Sequence, residues 1–268
     1  MGYDSHMIDT HCHLVSRQLH PRLDEVLTNA RDAGVDGMIT VSTGTDNVQA
    51  GLDVAHAHEH VWCTAGIHPH EAEAVPDWEL VLKVARDEYC VAWGELGLDW
   101  YYKTPTRDQQ VSLLESHLGT IETSGIDMPV VLHCREAVDD LLAVLAGSSI
   151  DLSRCVFHCY TGDVESLRPI LDAGCHVSFT GVVTFSSAPE VAEAARSVPI
   201  ERLMVETDAP YLSPEPVRSM RPNEPCNVVH TTRFLADLHG VDHDTFTKRM
   251  DANADRFFGL GLGLEAGD

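Results

Sequence analysis

The sequence predicts an α/β fold, a single-domain (β/α)8 TIM barrel, on three observations. Short apolar runs alternate with amphipathic segments along the whole chain, eight such runs recur at start-to-start spacings of about 20 to 40 residues, and 268 residues suffice for one barrel. The turn after the first run holds His11-Cys12-His13. An open doubly wound sheet would be expected to place a glycine-rich phosphate loop there.

In chain order, the candidate strands are residues 7–11, 38–42, 62–66, 91–95, 130–133, 156–158, 176–179 and 203–206. Between them, helical spacing joins Leu23, Val26, Leu27 and Ala30 on one face before Gly34. It does the same for Val111, Leu114, Leu118 and Ile121 before Gly125, where glycine suits a helix stop. Shorter faces carry Val48, Leu52 and Ala55, then Leu141, Leu142 and Leu145, then Val164, Leu167 and Leu171 before Gly174, then Val191, Ala192 and Ala195. No linker, internal repeat or low-complexity tract divides the pattern, so residues 8–268 form one domain. Residues 1–7 read as a leader, possessing a Met7 that makes a natural start directly before the first strand, and His6 is set aside for that reason.

Composition narrows the function classes. No apolar run reaches the roughly 18 residues of a membrane span and no signal-peptide pattern opens the chain, so a cytoplasmic protein without membrane contact is expected. The eight cysteines form no CxxC pair, as expected of free thiols in a reducing compartment. Acidic residues outnumber basic ones 42 to 18, giving a net charge of −24, and only Lys83, Lys103 and Lys248 are lysines. Such self-repulsion is screened within about 3 Å at 1 M salt, which points to a halophile's protein. It also argues against broad binding along a phosphate backbone and leaves local capture of a nucleic-acid end. Nothing indicates an obligate protein partner, and a monomer is expected.

The chemistry-bearing residues fall at strand ends. In an extended Ile8–Leu14 segment, Asp9, His11 and His13 point to one face, and two imidazoles so placed can grip one divalent cation. Chance occurrence of His-X-His among 16 histidines is the competing explanation. His68 just beyond strand 3, Glu95 ending strand 4, His133 ending strand 5, His158 ending strand 6 and Asp208 just past strand 8 answer it. The C-terminal strand ends of a barrel converge, so together these residues point to a hydrolytic centre with one or two metals.

The blocks that carry these residues are Asp9-Thr-His11-Cys-His13-Leu, Gly66-Ile-His68-Pro-His70, Gly94-Glu95-Leu-Gly-Leu-Asp99, Pro129-Val-Val-Leu-His133-Cys-Arg135-Glu, Phe157-His158-Cys-Tyr-Thr-Gly162, Glu206-Thr-Asp208-Ala-Pro-Tyr-Leu212 and Asn223-Glu224-Pro225. In order and spacing they resemble the TatD family of metal-dependent hydrolases of the amidohydrolase superfamily, from Ile8 to about Leu260. The resemblance implies a divalent-metal deoxyribonuclease or exonuclease-type phosphodiesterase. It implies that His11, His13, Glu95 and Asp208 bind a first metal, and that Glu95 bridges to a second held by His133 and His158. A metal-activated water would attack phosphorus, with Asp208 as base and Glu95 beside it. His68, His70, Arg135 and Tyr160 would contact substrate, while Asp9 and Glu206 would order the ligands from behind.

Each of these roles has a rival. Arg135 has the alternative of pairing with a nearby carboxylate, His70 of capping the loop after Pro69, and Tyr101-Tyr102 of packing on the helix after Thr106 instead of stacking on a base. Tyr160-Thr161 stands where the family pattern often has Phe-Ser, and Arg218–Asn223 is longer than the usual turn, which leaves substrate preference open. The same centre would serve ester or amide hydrolysis, and a metal-stabilised scaffold without activity is a third reading. Three or four imidazoles put Zn2+ ahead of Mn2+ or Mg2+ as the cofactor.

Overall fold

The computed structural model describes residues 7–265. The strands are β1 (Met7–Cys12), β2 (Val35–Thr40), β3 (Val61–Ala65), β4 (Cys90–Asp99), β5 (Val130–Arg135), β6 (Cys155–Phe157), β7 (His176–Phe179) and β8 (Leu203–Val205). The helices are α1 (Leu23–Asp32), α2 (Val48–Ala57), α3 (Trp78–Ala85), α4 (Arg107–Ser124), α5 (Val138–Ala146), α6 (Val164–Asp172), α7 (Pro189–Ser197), α8 (Val228–His239) and α9 (His243–Phe258). The strands follow sequence order in one eight-stranded sheet with helices on the connections, the (β/α)8 TIM-barrel topology. The leader expected at residues 1–7 lies outside the described residues except for Met7, which opens β1.

The chain divides into two compact units, one holding residues to Thr40, Cys159–Leu167 and Val177 onward, the other Val41–His158 and Arg168–His176. In the first unit β1 and β2 run parallel with Ile8 opposite Gly37, and β7 and β8 with Phe179 opposite Val205. The expected face of α1 is buried through Val26, Leu27 and Ala30. α8 and α9 have no counterpart in the hydrophobic pattern because polar side chains occupy much of their buried faces. Thr231 and Thr232 are buried on α8, and Asp251, Asn253 and Asp255 on α9. These groups satisfy strand starts: Ile8 N donates to Asp251 Oδ1 at 2.9 Å, and Asn253 Nδ2 to Leu203 O at 2.9 Å.

In the second unit β3, β4, β5 and β6 pair in parallel. Thr106 caps α4 in a capping box with Gln109, which fixes where the chain turns into that helix after β4. β4 departs most from expectation, since it runs ten residues and continues past Glu95 to Asp99. Trp93 pairs with Val130 but Leu96 with Leu132, so one extra residue is accommodated at Gly94-Glu95 as a bulge. Bulges bend a strand and re-aim the side chain they carry. Gly97 is required just beyond: its φ is +142°, and a Cβ there would lie 1.9 Å from His133 O.

Candidate metal centre

In the second unit, β4 presents Glu95 and Asp99 on one face, four residues apart along a strand. Parallel pairing sets Gly97 opposite His133, which puts the His133 ring between the two carboxylates. Its Nδ1 lies 3.1 Å from Glu95 Oε1, and its Nε2 lies 2.9 Å from Asp99 Oδ2. His158, one residue beyond β6, brings Nε2 to 2.7 Å from the same Glu95 oxygen and 3.3 Å from His133 Nδ1. His68 Nε2 adds a third imidazole 3.4 Å from Glu95 Oε1.

This donor set fits a divalent ion. The Glu95, His133 and His158 atoms stand 2.7–3.3 Å from one another. A tetrahedral ion with bonds of about 2.0–2.1 Å spaces its ligands by about 3.3–3.4 Å, so the Glu95–His158 pair would open by roughly 0.6 Å to hold one. Asp99 supplies the supporting layer, for a ligating imidazole generally donates its other N–H to a carboxylate. Burial opposes ionisation of Asp99, yet the bonds from His133 and His70 hold its carboxyl well below the usual range. Asp99 therefore accepts a hydrogen bond from Nε2–H of His133, and a neutral ring would then turn its Nδ1 lone pair toward Glu95 and His158. Burial likewise disfavours the charged form of His133, but its bonds to Asp99 and Glu95 prevail and raise its pKa. Burial pushes His68 down to about 4, so it is neutral near pH 7.

In the sequence Asp99 is only the last residue of the Gly94–Asp99 block and carries no role of its own. The signal that could have found it is the i, i+4 spacing from Glu95, which extended backbone turns into a shared face. Its Oδ2 also lies 3.1 Å from His70 Nε2, and its Oδ1 accepts the backbone N–H groups of Tyr101 and Tyr102. His70 thus reaches into this network through its ring, besides donating its backbone N–H to His68 Nδ1 in the turn Pro69–Glu71. Arg135, the last residue of β5, is exposed and forms no ion pair among the described residues. Its guanidinium carbon lies 3.7 Å from the centre of the Tyr101 ring.

In the first unit, the segment after β8 docks on the end of β1. Asp208 N donates to His11 O at 2.9 Å and His13 N to Ala209 O at 2.7 Å. The Asp208 carboxylate thereby stands 3.2 Å from His13 Nε2 and 3.8 Å from His11 Nε2. Asp208 has φ +54°, a left-handed conformation rare for a non-glycine residue. Asn223 braces it, donating from Nδ2 to Thr207 O and Tyr211 O, while Glu224 is held by Arg22 and Asn29. Asp9 accepts from His11 N, Thr207 N and Thr207 Oγ1, and burial pushes its carboxyl up to about 8 against those bonds. Glu206 accepts from Cys159 N at 2.6 Å and from Ser178 Oγ at 2.7 Å, fixing the residue next to His158. Cys159 is itself left-handed at φ +47°. Tyr160 is buried against Phe179, with its hydroxyl 2.6 Å from Asp163 O and 2.8 Å from Ser166 Oγ.

Of the expected residues, His11, His13 and Asp208 belong to one unit, and His68, His70, Glu95, His133 and His158 to the other. A (β/α)8 chain with imidazole and carboxylate donors at its strand ends is of the metal-dependent hydrolase class. Residues 8–259 match the family model described as TatD related DNase, and the chain belongs to the TatD family. It is 35% identical over 256 residues to the uncharacterized metal-dependent hydrolase YcfH of Escherichia coli (strain K12), covering 94% of this chain and 95% of that protein. It is 35% identical over 264 residues to the 3′-5′ ssDNA/RNA exonuclease TatD of Pantoea ananatis, covering 95% of this chain and 100% of the relative. Among solved structures, YJJV, a TatD homologue from Escherichia coli K12, superposes with a TM-score of 0.87 at 26% identity, over 94% of this chain and 98% of that one.

Proposed function

We propose that this TatD-family hydrolase is a phosphodiesterase acting on nucleic-acid ends, an exonuclease. The observation that carries the reading is the Glu95–His133–His158 donor triangle with Asp99 behind it. Relatives named as single-strand DNA and RNA exonucleases support the choice of substrate. In this reading His11, His13, Glu95 and Asp208 hold one divalent ion, and Glu95, His133 and His158 a second. Such ions supply Lewis acidity that makes a water acidic and offsets charge on the non-bridging phosphate oxygens. Asp208 would accept the water's proton on its carboxylate, and Glu95 would serve as a metal ligand. His68 and His70 present imidazoles to the phosphate, and Arg135 a guanidinium. Asp9 and Glu206 hold the backbone beside His11 and His158, and Tyr160, expected to contact substrate, is instead read as support for the turn after His158, because its ring is buried and its hydroxyl is engaged by Asp163 O and Ser166 Oγ.

The test is hydrolysis of single-stranded DNA and RNA by the purified protein with Mg2+, Mn2+ or Zn2+, beside a panel of carboxylic esters, with His133→Ala as control. Release of nucleotides that His133→Ala loses supports the reading. Ester cleavage with nucleic acid untouched under every metal overturns it in favour of an ester or amide hydrolase. Elemental analysis of the isolated protein identifies the ion, for which the imidazole-rich set favours Zn2+.

We further infer a monomeric cytosolic enzyme of a salt-rich interior. The eight cysteines are all free, and the net charge of −24 calls for screening. Circular dichroism during dialysis from molar salt to dilute buffer checks this, and unchanged structure in dilute buffer refutes it.

A further inference from the structure

Beside the metal centre, the second unit displays an aromatic pair that the chemistry above leaves unused. Tyr101 is 54% and Tyr102 49% exposed, in a set of only five large hydrophobic side chains left exposed among the described residues. They do not lie on a loose loop. Trp100 N donates to Arg135 O at 2.9 Å, and the backbone N–H groups of Tyr101 and Tyr102 both donate to Asp99 Oδ1. The other oxygen of that carboxylate is 2.9 Å from Nε2 of His133. The rings are therefore registered to the metal centre through a single carboxylate. They meet edge to face at 4.9 Å, and Tyr102 also meets His70 edge to face at 5.0 Å.

Arg135 completes the arrangement. In a chain with 42 acidic and 18 basic residues, a guanidinium without an ion pair among the described residues is conspicuous. Here it lies 3.7 Å from the centre of the Tyr101 ring and 5.6 Å from that of Tyr102. The contact stiffens the rings and keeps a cation next to them. Two fixed, half-exposed aromatic rings beside a cation and a phosphate-cleaving centre match the chemistry of an unpaired nucleobase with its phosphate, because any base offers a face for stacking.

We propose that Tyr101 and Tyr102, buttressed by Arg135 and Asp99, form a stacking platform that seats an unpaired nucleobase of the substrate next to the scissile phosphate. The inference rests on the nuclease reading and extends it to the residues that recognise the base. Packing against α4, the rival role, leaves these rings half-exposed and does not account for the guanidinium.

The test compares a short oligothymidylate with the same oligomer carrying abasic tetrahydrofuran residues at both ends, which makes polarity immaterial. Base stacking is worth roughly five- to hundredfold, so kcat/KM of the wild type should favour base-bearing ends by about that factor. In Tyr101→Ala and Tyr102→Ala the ratio between the two substrates should fall toward one, mainly through KM, and Tyr101→Trp should restore it. An unchanged ratio, or no base preference in the wild type, overturns the platform and leaves the nuclease reading intact. If neither oligomer is cleaved, the nuclease reading falls and the platform is judged by binding. Anisotropy with the phosphorothioate forms of both oligomers then supports it if base-dependent affinity is lost in Tyr101→Ala, and overturns it if affinity ignores the base.

Discussion

Replacing Asp99 with asparagine preserves shape and removes one acceptor, which makes it a sharp probe of how the metal centre is organised. The wild-type carboxylate accepts at both ends. Oδ2 faces the Nε2 atoms of His133 and His70 at 2.9 and 3.1 Å, and Oδ1 faces the backbone N–H groups of Tyr101 and Tyr102 at 3.0 and 3.4 Å. An amide has one oxygen and one NH2 group. Either orientation therefore sets a donor against donors, at the imidazoles or at the backbone. Leaving a buried donor unsatisfied costs about 1–3 kcal/mol. Alternatively His133 moves its proton to Nδ1, the atom 3.1 Å from Glu95 that should hold metal. Loss of a partner behind a metal ligand typically costs about 10–100-fold in metal affinity or activity. Asp99→Asn should therefore lose about that factor in both metal affinity, by competitive chelator titration, and nuclease rate, while the folded fraction stays high by circular dichroism. Affinity and rate both within about threefold of wild type would refute the proposed role of Asp99 in selecting the His133 tautomer.

Further outcomes follow from the same geometry. Gly97→Ala places a Cβ 1.9 Å from His133 O, against backbone that cannot rotate away. It should destabilise by about 3 kcal/mol or more in urea unfolding, and a loss below about 1 kcal/mol would show that β4 and β5 shift freely. Removing metal by chelation should lower the melting temperature, and ion at 100 times its Kd should restore about 2.7 kcal/mol. His158→Ala should abolish that metal-dependent gain, and a full gain in the variant would exclude His158 as a ligand. Burial pushes the Asp251 carboxyl up to about 8, opposed by the bond from Ile8 N. Below pH 4 the residue is protonated whether folded or unfolded and costs nothing. As pH rises from about 4 to 8 the unfolded state ionises while the fold retains the proton, so stability falls by up to about 1.4 kcal/mol per pH unit. Asp251→Asn should flatten that slope and raise stability at pH 7, and identical pH profiles would sink the assignment.

What the chain reveals by itself is set by local periodicity and residue chemistry. Eight apolar runs, the glycine stops after α1 and α4, and imidazoles and carboxylates at strand ends are all spaced within a few residues, where backbone geometry alone decides which side chains share a face. That His11, His13, Glu95, His133, His158 and Asp208 are donor-type side chains at strand ends was legible for that reason. α8 and α9 were not, since buried threonine, aspartate and asparagine interrupt their apolar stripes and do their work against strand starts far away in sequence.

The tertiary structure decided what depends on pairing between distant segments. The bulge at Gly94-Glu95 arises from register with β5, and that register sets His133 between Glu95 and Asp99. Likewise, whether Arg135 meets a carboxylate or an aromatic ring depends on where the chain turns after Asp99, and Tyr101 reaches it first. Local sequence specifies which groups are available, while angstrom-scale distances between them come from strand register and packing, which no short window of sequence contains.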